Sequence, residues 1–97
     1  MNKEEFKEWM DGKKDALVTW NVVVDGEDMS DYTVGCFFDN NTRKWKVYIN
    51  KERGRHRIRL ETEDEKQAFD KLKSLVEYVI ENSKGYRYKR IRGQLWV

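Results

Sequence analysis

The sequence predicts an α+β domain, an antiparallel meander sheet of four to five strands with a short N-terminal helix and one long helix packed on a face. Three observations carry this expectation. Between residues 62 and 85 the apolar residues Ala68, Phe69, Leu72, Leu75, Val76, Val79 and Ile80 recur at spacings of three and four, which forms one helical face. The chain before them holds four runs rich in β-branched and aromatic residues, punctuated by Asp-Gly, Asn-rich and Gly-containing turns. A chain of 97 residues can bury only one core, so residues 1–97 are expected to form a single domain. The order is α-β-β-β-β-α, with a possible final strand.

Asn2 can cap a helix running to about Met10, with Phe6, Trp9 and Met10 on one side and Asp11-Gly12 ending it. The first strand is expected over 17–24, where Leu, Val, Thr and Trp dominate, and Asp25-Gly26 reads as a hairpin turn. A second strand spans 32–38. Gly35 inside it marks either a bulge or a close approach of backbone. Asp39-Asn40-Asn41-Thr42 turns the chain into a third strand over 44–50, with Trp45, Val47 and Ile49 facing one way. After a reversal at 51–54, a fourth strand over 55–60 is expected to place His56, Ile58 and Leu60 on one face and Arg55, Arg57 and Arg59 on the other. The long helix opens with Thr62 and Glu65 in capping-box spacing, carries Glu63, Asp64 and Glu65 at the positive end of its dipole, and is expected to stop at Gly85. Residues 86–97 read as an edge strand or as a tail that packs Leu95 and Trp96 on the body.

Composition narrows the class. There is no proline, and no run approaches the roughly 20 apolar residues of a membrane span. The charged N-terminal decapeptide lacks an apolar signal core, and a single cysteine, Cys36, cannot build an internal disulfide; a reduced cytoplasmic protein is the expectation. The net charge of +2 conceals a division: residues 1–42 hold four Lys and ten acids, residues 43–97 sixteen Lys or Arg and eight acids.

No catalytic constellation emerges. Cys36 lies among Val34, Phe37 and Phe38 without a basic neighbour, and reads as a small core hydrophobe. The single histidine, His56, cannot assemble a zinc site with one cysteine, and its expected strand setting suits a hydrogen-bonded, partly buried ring. Asp25, Glu27, Asp28 and Asp31 flank a turn without the ordered spacing of a calcium loop, so neither a metal nor a cofactor is expected. Phosphate-binding and nucleophile-elbow motifs are absent from the sequence.

The stronger signal is cationic. Residues 43–59 carry eight Lys or Arg against one Glu, and residues 84–93 carry five with no acid. In the expected hairpin, Lys44, Lys46 and Tyr48 share a face with Arg55, Arg57 and Arg59. Such a face is tolerated if it is exposed, neutralised by acids from elsewhere, or covered by an anionic partner. One reading is a small nucleic-acid-binding module for single-stranded RNA or DNA, with cations on phosphates and Tyr48, Tyr86, Tyr88 or Trp96 stacking bases. The other is capture of a protein with an acidic surface.

The segment Trp45-Lys-Val-Tyr-Ile-Asn-Lys-Glu-Arg-Gly, followed by Leu60-Glu-Thr-Glu-Asp-Glu-Lys-Gln-Ala-Phe-Asp-Lys-Leu, resembles small immunity proteins of bacterial polymorphic-toxin systems. In those families a W-x-V-Y strand leads through an E-R-G turn and a further strand into an acid-capped helix. Trp45, Val47, Tyr48, Glu52, Arg53, Gly54, Ala68, Phe69 and Leu72 carry the likeness, over about residues 44–80. It implies a non-enzymatic cytoplasmic inhibitor that binds a cognate toxin domain. The arginine-rich half departs from the acidic character common among nuclease inhibitors, so either this half meets an acidic toxin surface or the acidic half meets a basic one. The contact residues expected are Tyr48 as anchor, with Arg55, Arg57, Arg59, Arg87, Lys89 and Arg90 as ion-pairing groups.

Overall fold

The computed structural model describes residues 1–13, 16–17, 20–52 and 55–90, the side chains of 82–90 excepted. It is the expected α+β fold, with elements α1 (Lys3–Asp11), β1 (Asn21–Val24), β2 (Thr33–Asp39), β3 (Lys44–Lys51), β4 (Arg55–Thr62) and α2 (Glu65–Arg90). Helix α1 begins at a capping box: the Asn2 side chain accepts from the Glu5 N–H, and the Glu5 carboxylate accepts from the Asn2 N–H, both at 2.9 Å. Its Phe6 and Met10 are buried, with the Phe6 ring tilted against Phe69 of α2 at 5.6 Å between centroids.

The sheet runs β1-β2-β3-β4, with β2-β3 and β3-β4 antiparallel. Val34, Cys36, Val47 and Ile49 on one face form the core with Ala68, Phe69, Leu72, Val76 and Val79 of α2. Trp45 closes one end of this face, edge-on to Phe69 at 5.5 Å. The 3.6-residue period of α2 and the two-residue period of β2 and β3 therefore converge on one apolar layer.

Four expectations are corrected. The strand pair β1-β2 is parallel, with Asn21 beside Thr33 and Val24 beside Cys36, and is not a hairpin at Asp25-Gly26. Residues 25–32 instead travel back across the sheet face opposite α2 to enter β2 at the end where β1 began. Positive φ angles at Asp25 (71°) and Tyr32 (56°) form the two corners of that return. In β4, the register against β3 shifts: Val47 faces Leu60 but Tyr48 faces Ile58, so Arg59 is the extra residue of a bulge. His56 and Ile58 consequently lie on the face away from α2, while Leu60 lies on the α2 face. The N-cap of α2 is Asp64, whose side chain accepts from the Lys66 N–H and whose carbonyl accepts from Ala68. Thr62 is held in the ladder opposite Trp45 and instead receives the Asp64 N–H on its hydroxyl. Finally, Gly85 lies inside α2, which continues to Arg90. A single interior glycine costs a helix only about 1 kcal/mol relative to alanine, and no proline follows to break it. Residues 86–90 are thus helical, and the alternatives for 91–97 fall outside the described residues.

Candidate interaction edge on β4

Strand β4 ends the sheet, and its outer side pairs with no described residue. Arg55, Arg57 and Arg59 are all exposed on it. Arg55 faces Lys51 across the ladder and Arg57 faces Ile49, so both lie on the α2 side of the sheet. Lys44, Lys46 and Tyr48 lie on the other side, opposite Asp39, Phe37 and Gly35. The single basic face expected from the sequence is therefore split in two, because the reversal at 51–54 sets Lys51 against Arg55 and inverts the assumed parity.

The two halves differ in how their charge is met. Lys46 sits 2.8 Å from Asp39 and 3.6 Å from Glu61, and the Lys46 ammonium holds the Asp39 carboxyl below its ordinary range. Arg55, Arg57 and Arg59 make no ion pair with any described residue. Ile58, between them, is 39% exposed although its cross-strand partner Tyr48 is buried. The sequence places Ile58 on one face with His56 and Leu60, and the bulge that sends Leu60 to the other face leaves no compositional mark. Arg87, Lys89 and Arg90 lie on the last turns of α2, apart in sequence and element from the β4 arginines.

Tyr48 is the clear correction among the expected contact residues: it is fully buried. Its ring lies over Gly35, where an added Cβ would stand 2.3 Å from the Tyr48 Oη. Gly35 is therefore a close approach and not a bulge. The Tyr48 hydroxyl donates to the Gly26 carbonyl at 2.9 Å and accepts from the Asp28 N–H at 3.0 Å, so residues 25–32 form a strap over it. Burial raises the pKa of this hydroxyl above its ordinary value. Asn50 supports the same strap. Its Nδ2 donates to the carbonyls of Asp28 and Ser30, which leaves its Oδ1 to accept from Nδ1 of His56. The buried Nε2 of His56 stands 3.1 Å from the Glu27 carboxylate, an ion-pair distance without hydrogen-bond alignment. The sequence offers one signal for this network: a lone histidine in a strand, His56, reads as a hydrogen-bonded and partly buried ring.

Cys36 and His56, the two side chains singled out in the sequence for possible chemistry, both have structural settings. Cys36 is fully buried in the apolar layer, and burial pushes its thiol up to about 12, with Asp25 and Glu65 adding to the shift. His56 is clamped between Asn50 and Glu27. Of the strap acids, Asp25 pairs with Lys3 at 3.0 Å, while Asp28 receives the Ser30 N–H. Among the described residues no group of acids, histidine and cysteine has the arrangement of a metal site, and no helix is long and apolar enough to cross a membrane. Neither a family model, a curated protein nor a solved structure matches this chain.

Proposed function

We propose that this protein is a cytoplasmic, non-catalytic binding protein of the immunity type, an inhibitor that captures a cognate bacterial toxin domain through the β4 edge. The observation that carries this reading is the charge of Arg55, Arg57 and Arg59 on the last strand of the sheet, paired with no acid among the described residues, together with the exposed apolar side chain of Ile58 on the same strand. Arginines with an adjoining apolar contact are the residue types that supply binding energy at protein interfaces. The resemblance over residues 44–80 points the same way, and the structural roles of Cys36 and His56 favour binding over catalysis. Of the rings expected to stack bases on a nucleic-acid surface, Tyr48 lies buried under the strap, while the side chains of Tyr86, Tyr88 and Trp96 fall outside the described residues. Arg87, Lys89 and Arg90 extend the positive charge toward the end of α2.

The test is capture from the native host's lysate in nuclease-treated and untreated halves, with wild type beside Arg57→Glu. The expected result is one stoichiometric protein that survives nuclease, is lost with Arg57→Glu, and arrests growth when expressed without its inhibitor. Recovery of nucleic acid, with binding that falls log-linearly in salt, overturns the reading.

A further inference from the structure

The two edges of the sheet are protected in different ways. β1 is only four residues long, and its Val22 and Val24 line a recess with Phe6 and Met10 of α1. β4 is eight residues long and pairs with no described residue on its outer side, a row of N–H and C=O groups of the kind to which another strand can add. Its arginines decide which strand that can be. A second copy of β4 paired parallel and in register would place arginine against arginine, and like charges directly opposed across a ladder disfavour pairing. A strand bearing carboxylates would reverse the sign of every one of those contacts.

We propose that β4 accepts an extended acidic segment of the partner as a fifth strand. The inference rests on the reading that the β4 arginines make the contact, and adds to it how the partner is held. Arg55 and Arg57 lie on one side of the sheet with Ile58 on the other, so the complementary segment alternates acidic and apolar residues, its acids facing Arg55 and Arg57 and an apolar side chain facing Ile58. The bulge at Arg59 interrupts the regular ladder, which places the pairing on the first half of the strand, Arg55 to Ile58. Main-chain hydrogen bonds supply attachment, and the arginines supply the choice of partner.

The experiment is an NMR titration of the isotopically labelled full chain with a blocked eight-residue peptide alternating Glu and Val, at millimolar concentration. Three controls accompany it: the Lys-Val peptide, a backbone N-methylated Glu-Val peptide, and an oligothymidylate. The expected result is that the Glu-Val peptide shifts the amides of Arg55 to Ile58 and slows exchange of alternate ones at least tenfold. The Lys-Val and N-methylated peptides should bind at least fivefold more weakly, because one lacks the charge and the other the strand hydrogen bonds. Arg57→Glu, checked for an unchanged unfolding midpoint, should weaken binding by a similar factor. Equal binding of the N-methylated peptide overturns strand addition while leaving the arginine contact standing. No shift in β4 with either Glu-Val peptide also overturns strand addition, and the lysate capture by Arg57→Glu then judges the arginine contact separately. Shifts in β4 only with the oligothymidylate overturn both.

Discussion

On the α2 side of the sheet, Val34, Cys36, Val47 and Ile49 meet Phe69, Leu72 and Val76 in an apolar layer. On the other side, Tyr48, Asn50 and His56 are covered by the 25–32 strap through hydrogen bonds to main-chain groups and one carboxylate contact. The first side is stabilised in proportion to area and volume, so it tolerates hydrophobic exchange and responds to cavities. The second depends on matched donors and acceptors, so removing one partner leaves the other buried and unsatisfied. The strap can therefore fail while the apolar layer stands, and the reverse cannot occur.

Truncation of the apolar layer should produce the largest effect. Phe69 is fully buried and touches Phe6 and Trp45, so Phe69→Ala should destabilise the fold by about 3–5 kcal/mol. Urea unfolding measures this, and a loss below about 1 kcal/mol would show that α2 is not the principal cover of the sheet. Helix and strand probes should lose their signals together.

Gly35 joins the two sides, because its backbone is in the ladder and its missing side chain is the space Tyr48 occupies. Gly35→Ala forces the Tyr48 ring out of place, with an expected cost of about 1–3 kcal/mol from overpacking. In a Tyr48→Ala background the same change should be nearly neutral. Additive costs in this double-mutant cycle would mean that the glycine serves some purpose other than the tyrosine's approach.

Asn50→Leu should act on the strap alone. It strips the Asp28 and Ser30 carbonyls of their donor and His56 Nδ1 of its acceptor, at about 1–3 kcal/mol. Hydrogen exchange should accelerate in residues 26–31 more than in α2. Uniform acceleration along the chain would show that strap and core open as one unit.

How much of this was legible in the sequence follows the same division. The α2 layer was readable because burial by apolar area imposes a period, and the spacing from Ala68 to Ile80 displays it. The strap was not readable, since a parallel β1-β2 pair depends on positive φ at Asp25 and Tyr32, neither of which is glycine. Asp-Gly between apolar runs suits a hairpin equally well. Charge alone singles out the β4 arginines, but their sidedness depends on one bulge and one reversal. A shift of a single residue moves every side chain to the other face, and nothing in Arg55 to Leu60 penalises either register strongly. The burial of Tyr48 is hidden for the complementary reason: a tyrosine suits an exposed strand as well as a buried one until its hydroxyl partners are known.

The smallest expected effect separates the two sides by pH. Each carries one acid that the fold keeps protonated: Cys36 in the apolar layer, with its thiol raised to about 12 from an ordinary 9.0, and Tyr48 under the strap, raised from an ordinary 10.0. Both folded-state values exceed the unfolded ones, so the unfolded chain loses these protons first as pH rises. The stability these two groups contribute is then complete below about pH 9 and declines above it, first through Cys36 and then through Tyr48. Lys3 and Lys46, raised by Asp25 and Asp39, add to the decline only from an ordinary 10.5 upward. The interval between pH 9 and 10.5 is therefore diagnostic. Urea midpoints measured across it should fall for the wild type, fall less for Cys36→Ala near its lower end, and fall less for Tyr48→Phe near its upper end. An unchanged slope in Cys36→Ala would mean that the thiol ionises in the folded state, and a dry α2 layer does not permit that.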